Sequence, residues 1–449
     1  MDKKIEVLFY STDKAGVNYY RIGSPAKGIE KHHSDDINVT IVNEIDFKRE
    51  DIVEYLSKYD IIYYSKELTN NFQILEKIKK NNTKFVVDFD DYWKLDKTHP
   101  MFYEYVKAGQ EARSIKNLKF ADYVTTTTEF LANKISEYVD HDKIVILPNA
   151  INEQLMPQFK NNWKPDPNGL VRICYQAGST HYHDIKLLRG VVNMLSTNSQ
   201  TKNKFKIILG GWDYTGNKLV RKLNTELEKE LNTRGIWNRE MYLQINKSEG
   251  DINKVKNMPA DLKVKYYNQM IHEEKVPIKP DESVYYDYEQ ILTDNYRLIK
   301  NKSYLTWLKS FEVNGRYYDE EQFARRWTKP VTNYIEILNE ADIVIAPLVN
   351  NSFNNGKSNL KQVEAWTRKL PVVSSNVIPY NVDGVSNSNC ILVDEKTNPS
   401  KHWFRVLKNL ILYPNLRTEI GNNLYNDFSK KFDLLEVNNK RVDFLKEIA

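Results

Sequence analysis

The chain has 449 residues and a mass of 52.9 kDa, about three domains at ~150 residues each, or two large α/β domains with an insertion. Hydrophobic residues make up 41% and aromatic residues 12%, which excludes a wholly disordered chain. A net charge of +5 on 65 basic and 60 acidic side chains is too slight for a protein built mainly to coat nucleic acid. No stretch approaches the ~20 apolar residues of a membrane span, and the apolar run at the N-terminus is too short for a signal peptide. Cys174 and Cys390 form neither a metal-spaced pair nor a disulfide framework. A cytoplasmic location is expected.

In chain order, Ile5–Tyr10 reads as a first buried strand. A polar loop follows, then a helix start with Ser24 as cap and Pro25 at the first helical position. Further strands are expected at Val39–Val42, Ile61–Tyr64, Lys84–Asp88, Tyr123–Thr126 and Ile144–Leu147. Helices fall between them, as at Asn71–Lys80 and Glu129–Tyr138. Strand–helix alternation with continuously apolar strands predicts a parallel sheet covered on both faces. Asn161–Gly169 holds two prolines and reads as a linker. A second alternating series runs through Val171–Tyr175, Lys206–Leu209, Asp342–Pro347, Pro371–Ser374 and Cys390–Val393. Between Gly211 and Pro330 the alternation breaks, and the nearly neutral, tyrosine-rich segment reads as a helical insertion with its own small core.

Four places carry chemistry. Gly356, Lys357 and Ser358 stand where a loop enters a helix expected over Asn359–Arg368, and Glu364 shares a face with Leu360. Backbone N–H groups, the helix dipole and a lysine suit a diphosphate, and the glutamate suits ribose hydroxyls. The same pattern also describes a surface loop before an amphipathic helix. Phe85–Trp93 holds Asp88, Asp90 and Asp91 at the carboxyl end of a strand, where they read either as a metal cluster or as a cap-and-turn cluster. The first loop holds Gly16 and Arg21; the arginine reads either as a phosphate or acidic-acceptor grip or as a helix-flanking surface residue. Tyr285, Tyr286 and Tyr288 suit stacking on sugar or base faces, or the packing of the insertion.

The stretch Ala341–Val393 resembles the donor-binding segment of family-four glycosyltransferases of the GT-B fold. Asp342, Pro347, Glu364 and Pro371–Val373 match its pattern, as does a Lys-Ser pair at 357–358 followed by Lys361. Gly356 stands where the first glutamate of the family's Glu-x7-Glu falls, a departure from the pattern. Thr128, Glu129, Pro148 and Asn149 resemble the end of the family's first lobe; Gly178, Ser179, His183 and Asp184 resemble the opening of its second. Asp90 falls where the family carries a histidine near the reacting sugar, and Asp91 matches the aspartate after it.

The resemblance implies an α/β protein of two Rossmann-like lobes: an acceptor lobe over 1–160 and a nucleotide-sugar lobe over 161–430. The insertion at 211–330 would select acceptor or hold a second subunit, and a C-terminal helix over 431–449 is expected to pack back on the first lobe. It implies retaining transfer of a sugar from a nucleotide-sugar donor, without cofactor or metal, to a glycan, lipid-linked sugar, protein or modified nucleic acid. Asp90 and Lys357 would be catalytic. Gly178, Ser179, His183, Lys357, Ser358, Leu360 and Glu364 would bind the donor, with Gly16, Arg21 and Asp91 on the acceptor side. Two alternatives are a nucleotide-sugar binder without catalysis and an enzyme that glycosylates modified nucleic-acid bases.

Overall fold

The expected strands gather into two sheets. The computed structural model describes residues 3–10, 16–99, 101–212, 229–238, 240–241, 244, 255–264, 284–294, 317–319, 323–327 and 331–449. The first sheet holds β1 (Ile5–Tyr10), β2 (Ile37–Val42), β3 (Ile61–Ser65), β4 (Lys84–Phe89), β5 (Tyr123–Thr126) and β6 (Ile144–Ile146), in the order β2-β1-β3-β4-β5-β6, all parallel. Both faces are buried, as the unbroken apolar runs predict. Leu8, Tyr10, Ile62, Tyr64, Phe85 and Val87 pack on one side. Val7, Phe9, Ile61, Tyr63 and Val86 pack on the other, where Val442, Leu445 and Ile448 of the last helix, Leu434–Ile448, close the layer.

The second sheet holds β7 (Val171–Gln176), β8 (Phe205–Trp212), β9 (Tyr317–Asp319), β10 (Phe323–Trp327), β11 (Ile343–Ala346), β12 (Val372–Ser375) and β13 (Ile391–Val393). Its order is β13-β12-β11-β7-β8-β10-β9, parallel except for the β9–β10 edge pair. Asp342 pins β7 to β11: its carboxylate accepts from the Arg172 backbone N–H (2.8 Å) and from its guanidinium (3.0 and 3.1 Å).

Two expectations change. Ser24 does not cap its helix: a short helix Gly16–Asn18 and a π-turn Tyr19–Gly23 run straight into Ser24–His32, so the chain is already helical there. Nor is 211–330 wholly a separate helical insertion. β9 and β10 extend the second sheet, and the helix Val284–Thr293 puts Tyr288, Ile291 and Leu292 into that sheet's core. A smaller apolar cluster around Leu231, Met241, Val255, Met258 and Leu262 stands apart from it. The side chains of Tyr285 and Tyr286 lie outside the described residues, whereas Tyr288 is buried and donates to the Gly178 carbonyl at 2.9 Å.

Candidate functional site

In open parallel sheets the crevice lies beyond the carboxyl ends of the strands, where the winding direction reverses. In the second sheet that point falls between β7 and β11. The segment after β7 carries Gly178, Ser179, His181 and His183, and the segment after β11 leads to Lys357 and Ser358. In the first sheet it falls between β1 and β3, next to β4, so Gly16, Lys66, Asp90 and Asp91 lie at the same edge. The winding thus brings scattered sequence segments to one interlobe cleft.

A cavity of about 40 Å³ lies in that cleft, between Asp96, Thr98 and His99 of the first lobe and Thr180, His181, His183, Asp184 and Lys357 of the second. A water needs ~10–15 Å³ of such space, so this cavity by itself has room for a few waters and not for a nucleotide sugar. Asp184 braces the second-lobe wall, accepting from Val349 N (2.8 Å), Asn354 Nδ2 (3.2 Å) and His181 Nδ1 (2.7 Å). The rings of His99 and Phe353 meet edge to face across the cleft at 5.1 Å. Burial and the nearby Lys357 charge hold His99 and His181 below the usual imidazole range. Lys357 lies over the Phe353 ring at 5.1 Å. Gly178 leaves open space: a Cβ there would meet only the Thr180 hydroxyl, at 4.0 Å. Ser179 opens the 3-10 turn Ser179–His181.

The expected helix Asn359–Arg368 is shorter, Leu360–Trp366, and a further short helix, Ser352–Asn355, precedes it. Gly356 ends that first helix, so Lys357 and Ser358 lie between the two helices. Ser358 accepts from Asn149 Nδ2 of the first lobe at 2.8 Å. Leu360 packs against the second-lobe core with Tyr334 and Val363. Glu364 is buried at 1% exposure and is not open to solvent. Its carboxylate accepts from Tyr20 (3.0 Å), from Tyr334 and from Lys361 Nζ (2.8 Å). Tyr20 belongs to the first lobe, so this bond also crosses the cleft.

Arg21 departs from its expected place. Its guanidinium is 1% exposed and lies inside the first lobe. It pairs with Asp88 through Nε (2.9 Å) and Nη2 (2.7 Å), and Nη1 donates to the Leu147 carbonyl (2.6 Å). Neither a grip on a ligand nor a surface position fits that burial. Asp88 also accepts from Thr125 (2.6 Å) and Tyr63 (3.3 Å) and so points away from its two neighbours. Asp90 and Asp91 instead face Lys66, at 3.0 and 3.2 Å. Burial pushes the Asp90 carboxyl up to about 6, helped by Asp91 and against Lys66. For Asp91 burial is outweighed by Lys66 and Lys357, and its carboxyl sits low. Among the described residues no group of three or more His, Cys, Asp or Glu side chains converges as a metal-binding set.

Sequence reasoning missed Lys66, His99 and Tyr334. Lys66 has φ 57°, a left-handed backbone rare outside glycine, which turns the chain directly after β3. Its position at a strand's carboxyl end was the available signal. His99 and Tyr334 carry no local signal: His99 meets Phe353 of the other lobe, and Tyr334 meets Glu364 and Tyr20, 30 and 314 residues away.

No protein-family model and no curated protein sequence matches this chain. Solved structures do. A glycosyltransferase from Rickettsia africae superposes with a TM-score of 0.54 at 12% identity, covering 99% of both chains. HepE from Anabaena, in complex with UDP and glucose, gives 0.53 at 12% identity and 99% of both chains. Sucrose-phosphate synthase from Thermosynechococcus elongatus gives 0.54 at 11% identity, again over 99% of both. Likeness at such identities concerns the fold, and the two Rossmann-like sheets facing one cleft show that the chain has the GT-B glycosyltransferase fold.

Proposed function

We propose that the chain is a glycosyltransferase that moves a sugar from a nucleotide-sugar donor to an acceptor hydroxyl, with retention of configuration and without a metal ion. One observation carries the reading: both lobes direct their strand ends into one cleft, whose second-lobe wall holds Lys357 and two histidines, while the buried Glu364 of the same lobe bonds to Tyr20 of the other. In this reading Lys357 and Ser358 meet the diphosphate beside Gly178 and Ser179, and Glu364 takes the ribose hydroxyls. The acceptor oxygen attacks the anomeric carbon, the bond from that carbon to the diphosphate oxygen breaks, and the proton leaves with the nucleoside diphosphate. Charge on the leaving group is met by fixed cations and N–H groups. Asp90 contacts the transferred sugar or the acceptor. The complex of HepE with UDP and glucose makes uridine nucleotides the first donors to try.

Two polar contacts join the lobes beside the proposed donor residues. They are Tyr20–Glu364 and Asn149–Ser358, and any separation of the lobes would break both. The test is thermal shift and calorimetry with a panel of nucleotide sugars, followed by an assay for free nucleoside diphosphate. Saturable binding with donor turnover supports transfer. Binding without any donor hydrolysis or transfer favours a binding protein, a reading to which the crowding of Gly356 by Tyr92 lends weight. Absence of binding across the panel overturns both.

A further inference from the structure

The helical hairpin Phe102–Lys107 and Gln110–Phe120 encloses a second, larger cavity in the first lobe. Gly109, at φ 63°, makes the left-handed turn between the two helices. The cavity measures about 320 Å³, within the ~300–1,000 Å³ of small-molecule sites. Leu95, Phe102, Tyr105, Val106, Ala112 and Ile115 form its apolar lining. Glu111 is the charged group at its rim, and it pairs with Lys94 at 3.4 Å. Val106 of the lining is 59% exposed, and its chain neighbours Met101 and Tyr103 are exposed too, at 48% and 81%. Exposed apolar side chains this close together are a usual mark of a binding surface.

This cavity and the cleft cavity are joined by one stretch of chain. One loop lines both: Leu95 faces the apolar cavity, while Asp96, Thr98 and His99 face the polar one. Tyr105, on the cavity lining, lies within electrostatic reach of Lys66 and Asp91, and burial holds its phenol above the ordinary range. A ligand seated here would have an uncharged apolar body among the hairpin side chains and a polar end toward Asp91 and Lys66.

We propose that the hairpin cavity binds the apolar portion of the acceptor, an alkyl or aryl alcohol or glycoside whose free hydroxyl points to Asp90 and Asp91. This rests on the transfer reading above, and it assigns the acceptor a chemical class: one polar, hydroxyl-bearing end and one uncharged apolar end, rather than a purely polar glycan.

The test uses the full chain and n-octyl β-D-glucoside, titrated by calorimetry below its micelle concentration. Saturable binding is expected. Ala112→Phe puts a ring into the cavity from an exposed helix position and should weaken that binding at least tenfold, while binding of the preferred nucleotide sugar stays within twofold. Val106→Lys, also at an exposed position, should weaken it in the same way and guards against a poorly folded first variant. Equal probe affinity in wild type and both variants overturns the proposal. So does binding to anionic phospholipid vesicles without binding to monomeric probe, because the exposed side chains then mark a membrane-facing surface. Probe binding with no nucleotide sugar bound keeps the cavity as a ligand site and sinks the transfer reading instead. Donor binding without probe binding does the reverse.

Discussion

Gly356 of the second lobe lies against Tyr92 of the first, so closely that a Cβ at position 356 would stand 2.6 Å from the Tyr92 Cβ. Tyr92 adjoins Asp91 at the cleft, and the missing side chain is what lets the lobes meet there. Gly356→Glu, which restores the carboxylate of the resembling family, is therefore expected to hold the lobes apart. The radius of gyration by solution scattering should rise, and stability should fall by about 1–3 kcal/mol, the usual cost of overpacking. Unchanged scattering and stability would mean that Tyr92 yields at no cost.

Glu364 already has three donors: Tyr20, Tyr334 and Lys361. Ribose hydroxyls need the lone pairs that the phenols occupy. Tyr20→Phe removes one competitor, and donor binding should tighten by about 0.5–1.5 kcal/mol, the net worth of a hydrogen bond. Glu364→Gln should weaken it by about 1–3 kcal/mol. Calorimetry on both folded variants decides: if neither changes donor affinity, Glu364 is a latch between lobes and not a ribose ligand.

The sheets were legible because their strands are apolar throughout: Ile61–Tyr64 and Val171–Tyr175 read correctly from burial on both faces alone. The winding then placed the Gly178 and Lys357 segments together, which spacing along the chain supports only weakly. What escaped were side-chain directions. Asp88, Asp90 and Asp91 look alike in sequence, yet Asp88 is still within β4 and turns inward to Arg21, while Asp90 and Asp91 lie past its end at Phe89 and turn to Lys66. An arginine after a glycine-containing loop gave no hint that its partner waits 67 residues on. Strands β9 and β10 were hidden because they are short and follow a long interruption.

Lys357 has modest packing and a direct place on the cavity wall. Lys357→Ala should lower turnover by an order of magnitude or more while shifting the unfolding midpoint little, since a half-exposed loop lysine contributes within about 0.5 kcal/mol. Activity within a factor of two of wild type would remove Lys357 from the diphosphate site.

The two carboxylates beside Lys66 set a pH dependence. Asp90 sits raised, at about 6, and Asp91 low, so the pair holds one proton at mildly acid pH and loses it as pH rises through that value. Because the raised Asp90 binds its proton better folded than unfolded, its contribution favours the fold below the ordinary carboxyl range and is lost as pH climbs past about 6. If the ionised carboxylate contacts the acceptor hydroxyl, activity should rise with pH across the same window. Asp90→Asn should flatten that rise. A profile unchanged in Asp90→Asn would assign the rise to other groups, His99 and His181 first among them.

Arg21 and Asp88 are buried together, and their separation tests a structural role against a ligand-binding one. Removing one partner leaves a buried charge alone, at a cost of about 3–5 kcal/mol. Asp88→Ala and Arg21→Ala should each lose that much in denaturant unfolding. Replacing both by apolar residues of similar volume, Arg21→Met with Asp88→Leu, should recover most of it. The recovery is expected to be incomplete, because Leu147 O, Thr125 and Tyr63 lose bonds that the pair now satisfies. If Arg21 instead gripped an acidic ligand, Arg21→Ala would cost binding and little stability, and the double variant would restore neither. Donor titration beside the unfolding curve separates the two outcomes on one preparation.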